Sequence, residues 1–314
     1  MIFETVAKMK LAKLTAGQLI NTKGYSVAGD GGGASYLVAA SQTVDGYGDH
    51  ALAGGTVALL QVEGTANVRQ FGAKGDGNQD DQPALQAAID SFDTGGGVAY
   101  FPAGDYFITN TLPMTSNVTL RGAGMPSYKT YWLDINRAYN TSEGAVIEVS
   151  DLNSPLSHRL MSGDVVKING SFDSGMEGVK EILQVDPANN RLIISGTITY
   201  VSAGTSTGVT DPLNNIAGSL RVSVLSGGSI VRFQNCTTGD IITGERFFDC
   251  EDARNVSFYD LGFVGPGINA VYGGGMRFRR IREPDGRSRA ISGYHWNNVF
   301  LTHSAQEGIR FDQL

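Results

Sequence analysis

The sequence predicts a mainly β protein of short strands and tight turns, with one short capping helix and a small inserted β unit. Glycine occurs 42 times in 314 residues while only 18% of residues are charged, a profile that suits turn-dense β architecture with lightly charged faces. Short apolar runs recur along most of the chain, each bounded by Gly, Pro, Asn or Asp, which is strand-and-turn patterning. Only one stretch combines helical periodicity with start and stop signals.

Residues 1–64 read as a small β-rich N-terminal module. Runs such as Thr56-Val57-Ala58-Leu59-Leu60 alternate with glycine clusters, a brief helix fits between Phe3 and Leu14, and Gly64-Thr65-Ala66 reads as a linker. Residues 65–150 form the second region, with a helix over 81–93. Asp81 supplies an acidic N-cap and Pro83 sits in the first turn, while Ala84, Leu85, Ala88 and Ile89 share one face. Asp80 reads as a second capping residue. Gly95-Gly96-Gly97 ends the helix, because left-handed dihedrals are sterically cheap for glycine. Val98-Ala99-Tyr100-Phe101, Tyr106-Phe107-Ile108-Thr109 and Val118-Thr119-Leu120 follow as strands with no helix between them. They fit either antiparallel hairpins or successive faces of a solenoid coil.

Residues 151–226 read as an inserted meander or barrel. Its strands are Val165-Val166-Lys167-Ile168, Lys180-Glu181-Ile182-Leu183-Gln184-Val185 and Arg191-Leu192-Ile193-Ile194, with a turn over 186–190. Residues 227–314 return to coil-like alternation, as in Ser229-Ile230-Val231-Arg232-Phe233 and Ile309-Arg310-Phe311. That last run looks like the middle of a coil with no cap after it, so the expectation is that further coils lie beyond Leu314.

A net charge of −7 disfavours a nucleic-acid partner, which needs clustered cations. No run approaches the roughly 18 apolar residues of a membrane span, and the N-terminus lacks a secretory core; membrane insertion is not expected. Cys236 and Cys250 read as two reduced thiols, with a disulfide as the less favoured alternative. Asp76, Asn78 and Asp80 mimic the start of a calcium loop, but Asp81 and Ala87 stand where glycine and glutamate belong. The glycines of 29–33 lead into a strand rather than a helix, so no dinucleotide site is expected. His50, His158, His295 and His303 show no ligand spacing. Neither metal nor cofactor is expected.

The run Val68-Arg69-Gln70-Phe71-Gly72-Ala73-Lys74-Gly75-Asp76-Gly77, followed by Asp80-Asp81, resembles the opening segment of the pectate-lyase-like superfamily. The likeness continues through Gly97-Val98-Ala99-Tyr100-Phe101-Pro102-Ala103-Gly104 to Leu120-Arg121-Gly122-Ala123-Gly124. It implies a right-handed parallel β-helix whose first coil is covered by helix 81–93. Leu14-Thr15-Ala16-Gly17-Gln18, Lys23-Gly24-Tyr25 and Gly29-Asp30-Gly31-Gly32-Gly33-Ala34-Ser35-Tyr36 resemble the module that precedes the β-helix in bacteriophage tailspikes. That resemblance implies a homotrimer, made in the host cytoplasm and carried on the virion. Its N-terminal module would meet a phage tail or baseplate protein, and its coils a bacterial surface polysaccharide.

Polysaccharide cleavage calls for paired carboxylates, and the later coils offer Asp240, Glu245, Asp249, Glu251, Asp252, Asp260, Glu283, Asp285, Glu307 and Asp312. Which two meet is not legible in the sequence, and catalytic residues stay unassigned. Arg277, Arg279, Arg280, Arg282, Arg287 and Arg289 form a basic patch suited to gripping carboxylates. It fits an acidic glycan, or equally an ion-pair network between subunits. Tyr294 and Trp296 offer a sugar-stacking platform or a packed face between coils. Arg277, Arg279, Arg282, Tyr294 and Trp296 are therefore the candidate saccharide-binding residues. The leading expectation is a tailspike segment that binds host polysaccharide as part of a depolymerase, glycosidase or lyase. The alternative is a structural trimeric attachment segment whose active coils lie further on, and a cell-bound pectate-lyase relative is the remaining one.

Overall fold

The computed structural model describes residues 1–92, 95–150, 152, 160, 164–169, 178–197, 213–214, 219–233, 248–251, 253–265, 276–280, 293–302 and 309–313. The chain divides into two compact units, one of residues 1–126, 227–265 and 271–314, the other of residues 127–226 and 266–270.

The first unit opens with a five-stranded sheet, in the order Ile2–Phe3, Leu19–Thr22, Ser35–Ala39, Val57–Leu60, His50–Ala51. A short helix, Val6–Lys10, is capped by the Thr5 hydroxyl and buries Val6 and Met9. It is shorter than the predicted 3–14. These two side chains join Ile20, Tyr36, Val38, Leu52 and Ala58 in a local core. Asp30 folds the glycine-rich turn by accepting the amide hydrogens of Tyr25, Ser26, Val27 and Gly32. Burial pushes its pKa up, but the four donors outweigh that and hold it below the usual carboxylate range.

Parallel strands then stack in three faces, the coil architecture rather than the hairpin one. Face one holds Thr65–Asn67, Gly97–Phe101, Val118–Gly122, the first half of Ser257–Val264, and the first half of His295–Thr302. Face two holds Asp76–Asp80, Gly104–Ile108, Ser229–Phe233 and the second halves of the same two strands. Face three holds Leu112–Pro113, Phe248–Glu251, Met276–Arg280 and Ile309–Gln313. Thr65 and Ala66, expected within a linker, belong to the strand Thr65–Asn67 because its backbone pairs with Gly97–Phe101.

The corners explain how the chain turns without losing register. Face one is reached through Gly96, Asn117, Asn255 and Gly293, all at positive φ. These are residue types that tolerate the left-handed region. The Asn255 amide donates to the Asn117 side-chain oxygen at 3.0 Å, and the Asn298 amide donates to Asp260 at 2.8 Å where faces one and two meet. Gly122 is required at that second corner, since a Cβ there would lie 2.1 Å from the Asp260 carbonyl oxygen.

The interior fills with Ala66, Ala99, Leu120, Phe258, Tyr106, Ile108, Phe233, Leu112 and Cys250. The helix Gln82–Asp90 lays Ala84, Leu85, Ala88 and Ile89 against this core, as expected. Its capping differs from expectation. Asp80 accepts from the Gln82 amide, whereas Asp81 turns to the amides of Lys74 and Gly75. Burial pushes Asp81 up to about 6 in spite of those two donors. Cys250 is fully buried, and Cys236 lies outside the described residues.

The second unit is antiparallel. Ala145–Val149, Arg191–Ile194, Gly178–Asp186, Val165–Asn169, Ser219–Ser226 and Ser127–Asn140 pair in sequence, and the last pairs back to the first, closing a small barrel. Leu133, Ile135, Ile147, Val166, Ile168, Ile182 and Leu192 fill it. The predicted meander lies within it, but the barrel starts at Ser127 rather than at 151. The strands Ser127–Asn140 and Ala145–Val149 belong to it and not to the first coils. In chain order, it interrupts the corner between Val118–Gly122 and Ser229–Phe233.

Candidate functional site

Face three carries the densest chemistry. Leu112 and Cys250 are fully buried, which fixes the inward positions of this sheet. Register aligns Leu112 with Phe248, Met276 and Ile309, and Cys250 with Phe278 and Phe311. One row of register partners runs Pro113, Asp249, Arg277, Arg310, and another runs Glu251, Arg279, Asp312.

Neighbours in such rows stand roughly 4.8 Å apart along the stack. Glu251 and Asp312 are thus separated by two rungs, roughly 9–10 Å at the backbone, with Arg279 on the strand between them. Asp249 and Glu251, two residues apart on one strand, are roughly 7 Å apart. An arginine flanked by carboxylates can hold a uronate carboxylate while a neighbouring acid or base moves a proton. Arg277 and Arg279 therefore share this face. Arg282 lies outside the described residues, as do Arg287, Arg289, Asp240, Glu245, Asp252, Glu283, Asp285 and Glu307. Sequence reasoning had the carboxylates but not their partners. The signal was the repeated alternation Phe248-Asp249-Cys250-Glu251, Met276-Arg277-Phe278-Arg279 and Ile309-Arg310-Phe311-Asp312.

Tyr294 and Trp296 are placed elsewhere. Trp296 occupies the same row as buried Phe258, and the two rings stack with centroids 6.2 Å apart and 9° between planes. Tyr294 stacks on Trp296 at 6.2 Å and donates its hydroxyl to the Ala253 carbonyl. The pair extends the interior aromatic column of face one, with Trp296 still 36% exposed. Asp260 is a corner residue bonded to Asn298. Among the described residues no group of His, Cys, Asp and Glu could hold a metal ion, and no helix is long and apolar enough to cross a membrane.

Residues 65–146 match a family model described as rhamnogalacturonase A/epimerase, pectate lyase-like. This segment contains the motifs that first suggested the superfamily, and the stacked parallel sheets agree with it. Particular relatives share only this part. Mannuronan C5-epimerase AlgE3 of Azotobacter vinelandii is 47% identical over 70 residues, covering 20% of this chain and 4% of its own length. Alginate lyase 7 of the same organism is 48% identical over 67 residues, 19% of this chain and 8% of its own. Among solved structures, tailspike protein gp49 from Acinetobacter baumannii bacteriophage Fri1, a capsular polysaccharide depolymerase, aligns over 95% of this chain and 42% of that one, with 17% identity and a TM-score of 0.44. The enzymatically active domain of tailspike protein 2 from bacteriophage CBA120 aligns over 99% and 35%, with 11% identity and a TM-score of 0.30. The chain spans less than half of each of these proteins.

Proposed function

We propose that this chain is the front part of a phage tailspike that binds a bacterial surface polysaccharide carrying acidic groups, on the outward side of face three. The observation that carries this reading is the register, which aligns Asp249 with Arg277 and Arg310, and Glu251 with Arg279 and Asp312, on successive strands. It is supported by the match of residues 65–146 to a family named for pectin-directed enzymes. The relatives named for mannuronan and alginate likewise act on uronate chains. The phage-tail reading rests on the N-terminal motifs at 14–18, 23–25 and 29–36. They build a sheet module with its own core ahead of the first rung. In this reading the intact spike cleaves the glycan it holds, either as a hydrolase with two carboxylates or as a lyase with an arginine neutralising a uronate.

The test is incubation of the purified chain with a panel of capsular polysaccharides, uronate-rich and neutral. New reducing ends without absorbance of an unsaturated product mark a hydrolase, and both together mark a lyase. Binding without either marks a segment that only holds the glycan. No binding to any acidic member would overturn the proposal. A structural attachment role is favoured by a different feature, the outward row Leu19, Leu37, Leu59 across the N-terminal sheet, of which Leu19 is 66% exposed. A homotrimer that persists in wild type and dissociates on Leu19→Glu, with no glycan binding, would establish that reading.

A further inference from the structure

A cavity of about 680 Å³ lies between the loop 45–49 and the helix Gln82–Asp90, within the size range of small-ligand sites. Its lining includes Asp45, Asp49 and Asp90 but no Lys, Arg or His. The polar groups there are almost all acceptors. Asp45 already receives the Tyr47, Gly48 and Asp49 amides, and Asp49 receives Leu60, yet each carboxylate can accept further bonds. Several of the donors, by contrast, are used internally. The Ser91 hydroxyl donates to Ala88, and the Gln86 amide donates to Asp90 and to the Pro113 carbonyl. Those two acceptors fix the orientation of the Gln86 amide, which leaves its carbonyl oxygen buried without a partner. Burial, reinforced by Asp45 nearby, raises the pKa of Asp49, as expected where negative charge lacks a cation.

We propose that this cavity receives a lysine or arginine side chain from a protein partner. Such a side chain brings donors only and an apolar stem. Acceptors on Asp45, Asp49 and Asp90 match the donors, Leu60 and Val62 offer an apolar wall, and the Tyr47 ring suits a cation. An amino sugar fits less well, because its hydroxyl and ring oxygens need donors and this lining is dominated by carboxylates. The inference does not depend on the glycan reading of face three, which lies on a different set of residues.

The test uses the full chain and a capped pentapeptide bearing two arginines, alongside its citrulline counterpart and a glucosamine tetrasaccharide, titrated by calorimetry. The expected result is saturable binding of the arginine peptide, weakened by salt and by about tenfold in Asp90→Asn and in exposed Tyr47→Ala, with little binding of the citrulline peptide. Asp90→Asn retains an acceptor for Gln86, and Tyr47 lies at the surface, so both variants should fold. Equal binding of the citrulline peptide, or wild-type binding in both variants, would overturn the proposal. So would absence of binding, or tighter binding of the tetrasaccharide.

Discussion

Arg232 meets Asp105 through two hydrogen bonds of 3.2 and 3.1 Å, and the side chains are only 2% and 4% exposed. The strand carrying Arg232 is buried along its whole length. Removing one partner leaves a charge in a medium that cannot solvate it, so Asp105→Ala should cost about 3–5 kcal/mol in urea unfolding. Replacing both, as Asp105→Leu with Arg232→Met, should cost less than either single change. His50 makes the opposite kind of statement. It is buried, neither ring nitrogen has a partner, and burial, helped by Lys10, lowers its pKa from 6.5 to about 4. The unfolded chain therefore takes up this proton near pH 6.5 and the folded chain only near 4. Stability is full above 6.5 and falls as pH drops through that window. Asp81, raised to about 6, works the other way, adding stability as pH falls from 6 towards its ordinary value. The pair partly cancels. His50→Phe should remove the loss, so that its stability relative to wild type rises by roughly 2–3 kcal/mol between pH 7 and 4. Parallel pH profiles would refute this.

At the scale of elements, the helix Gln82–Asp90 acts as a lid whose stripe sits on the first rungs. Leu85→Ala should cost about 2–5 kcal/mol and raise light scattering on heating, since it loosens the cover over exposed strand edges. A melting temperature matching wild type would speak against the lid. This helix, and the strands at 97–101, 104–108 and 118–122, were legible because capping residues, apolar spacing and glycine breaks agree there. The barrel's first strand was not. Ser127–Asn140 is an alternating stretch like many others, and alternation tells which side of a strand is buried but not whether its neighbour runs parallel or antiparallel. The strand Thr65–Asn67 was missed for a related reason. Gly64-Thr65-Ala66 reads as a linker until a long-range partner, Gly97–Phe101, supplies the pairing.

For the whole molecule, one geometric fact decides what chemistry is available: parallel stacking converts a sequence repeat into a row. Asp249, Arg277 and Arg310 are far apart in sequence but fall one rung apart. The arginines from 277 to 289 were visible as a cluster by sequence alone, but Arg310 was not part of it. Their carboxylate neighbours were not visible, because rung length varies with each loop and cannot be counted off. Tyr294 and Trp296 read as either a stacking platform or a packed face between coils, and register aligns Trp296 with Phe258. Affinity of the full chain for uronate oligomers, compared between wild type and Arg277→Ala/Arg279→Ala, tests the role of face three most directly. A loss of about tenfold or more with an unchanged melting temperature is the predicted result. Equal affinity in the two proteins would contradict it.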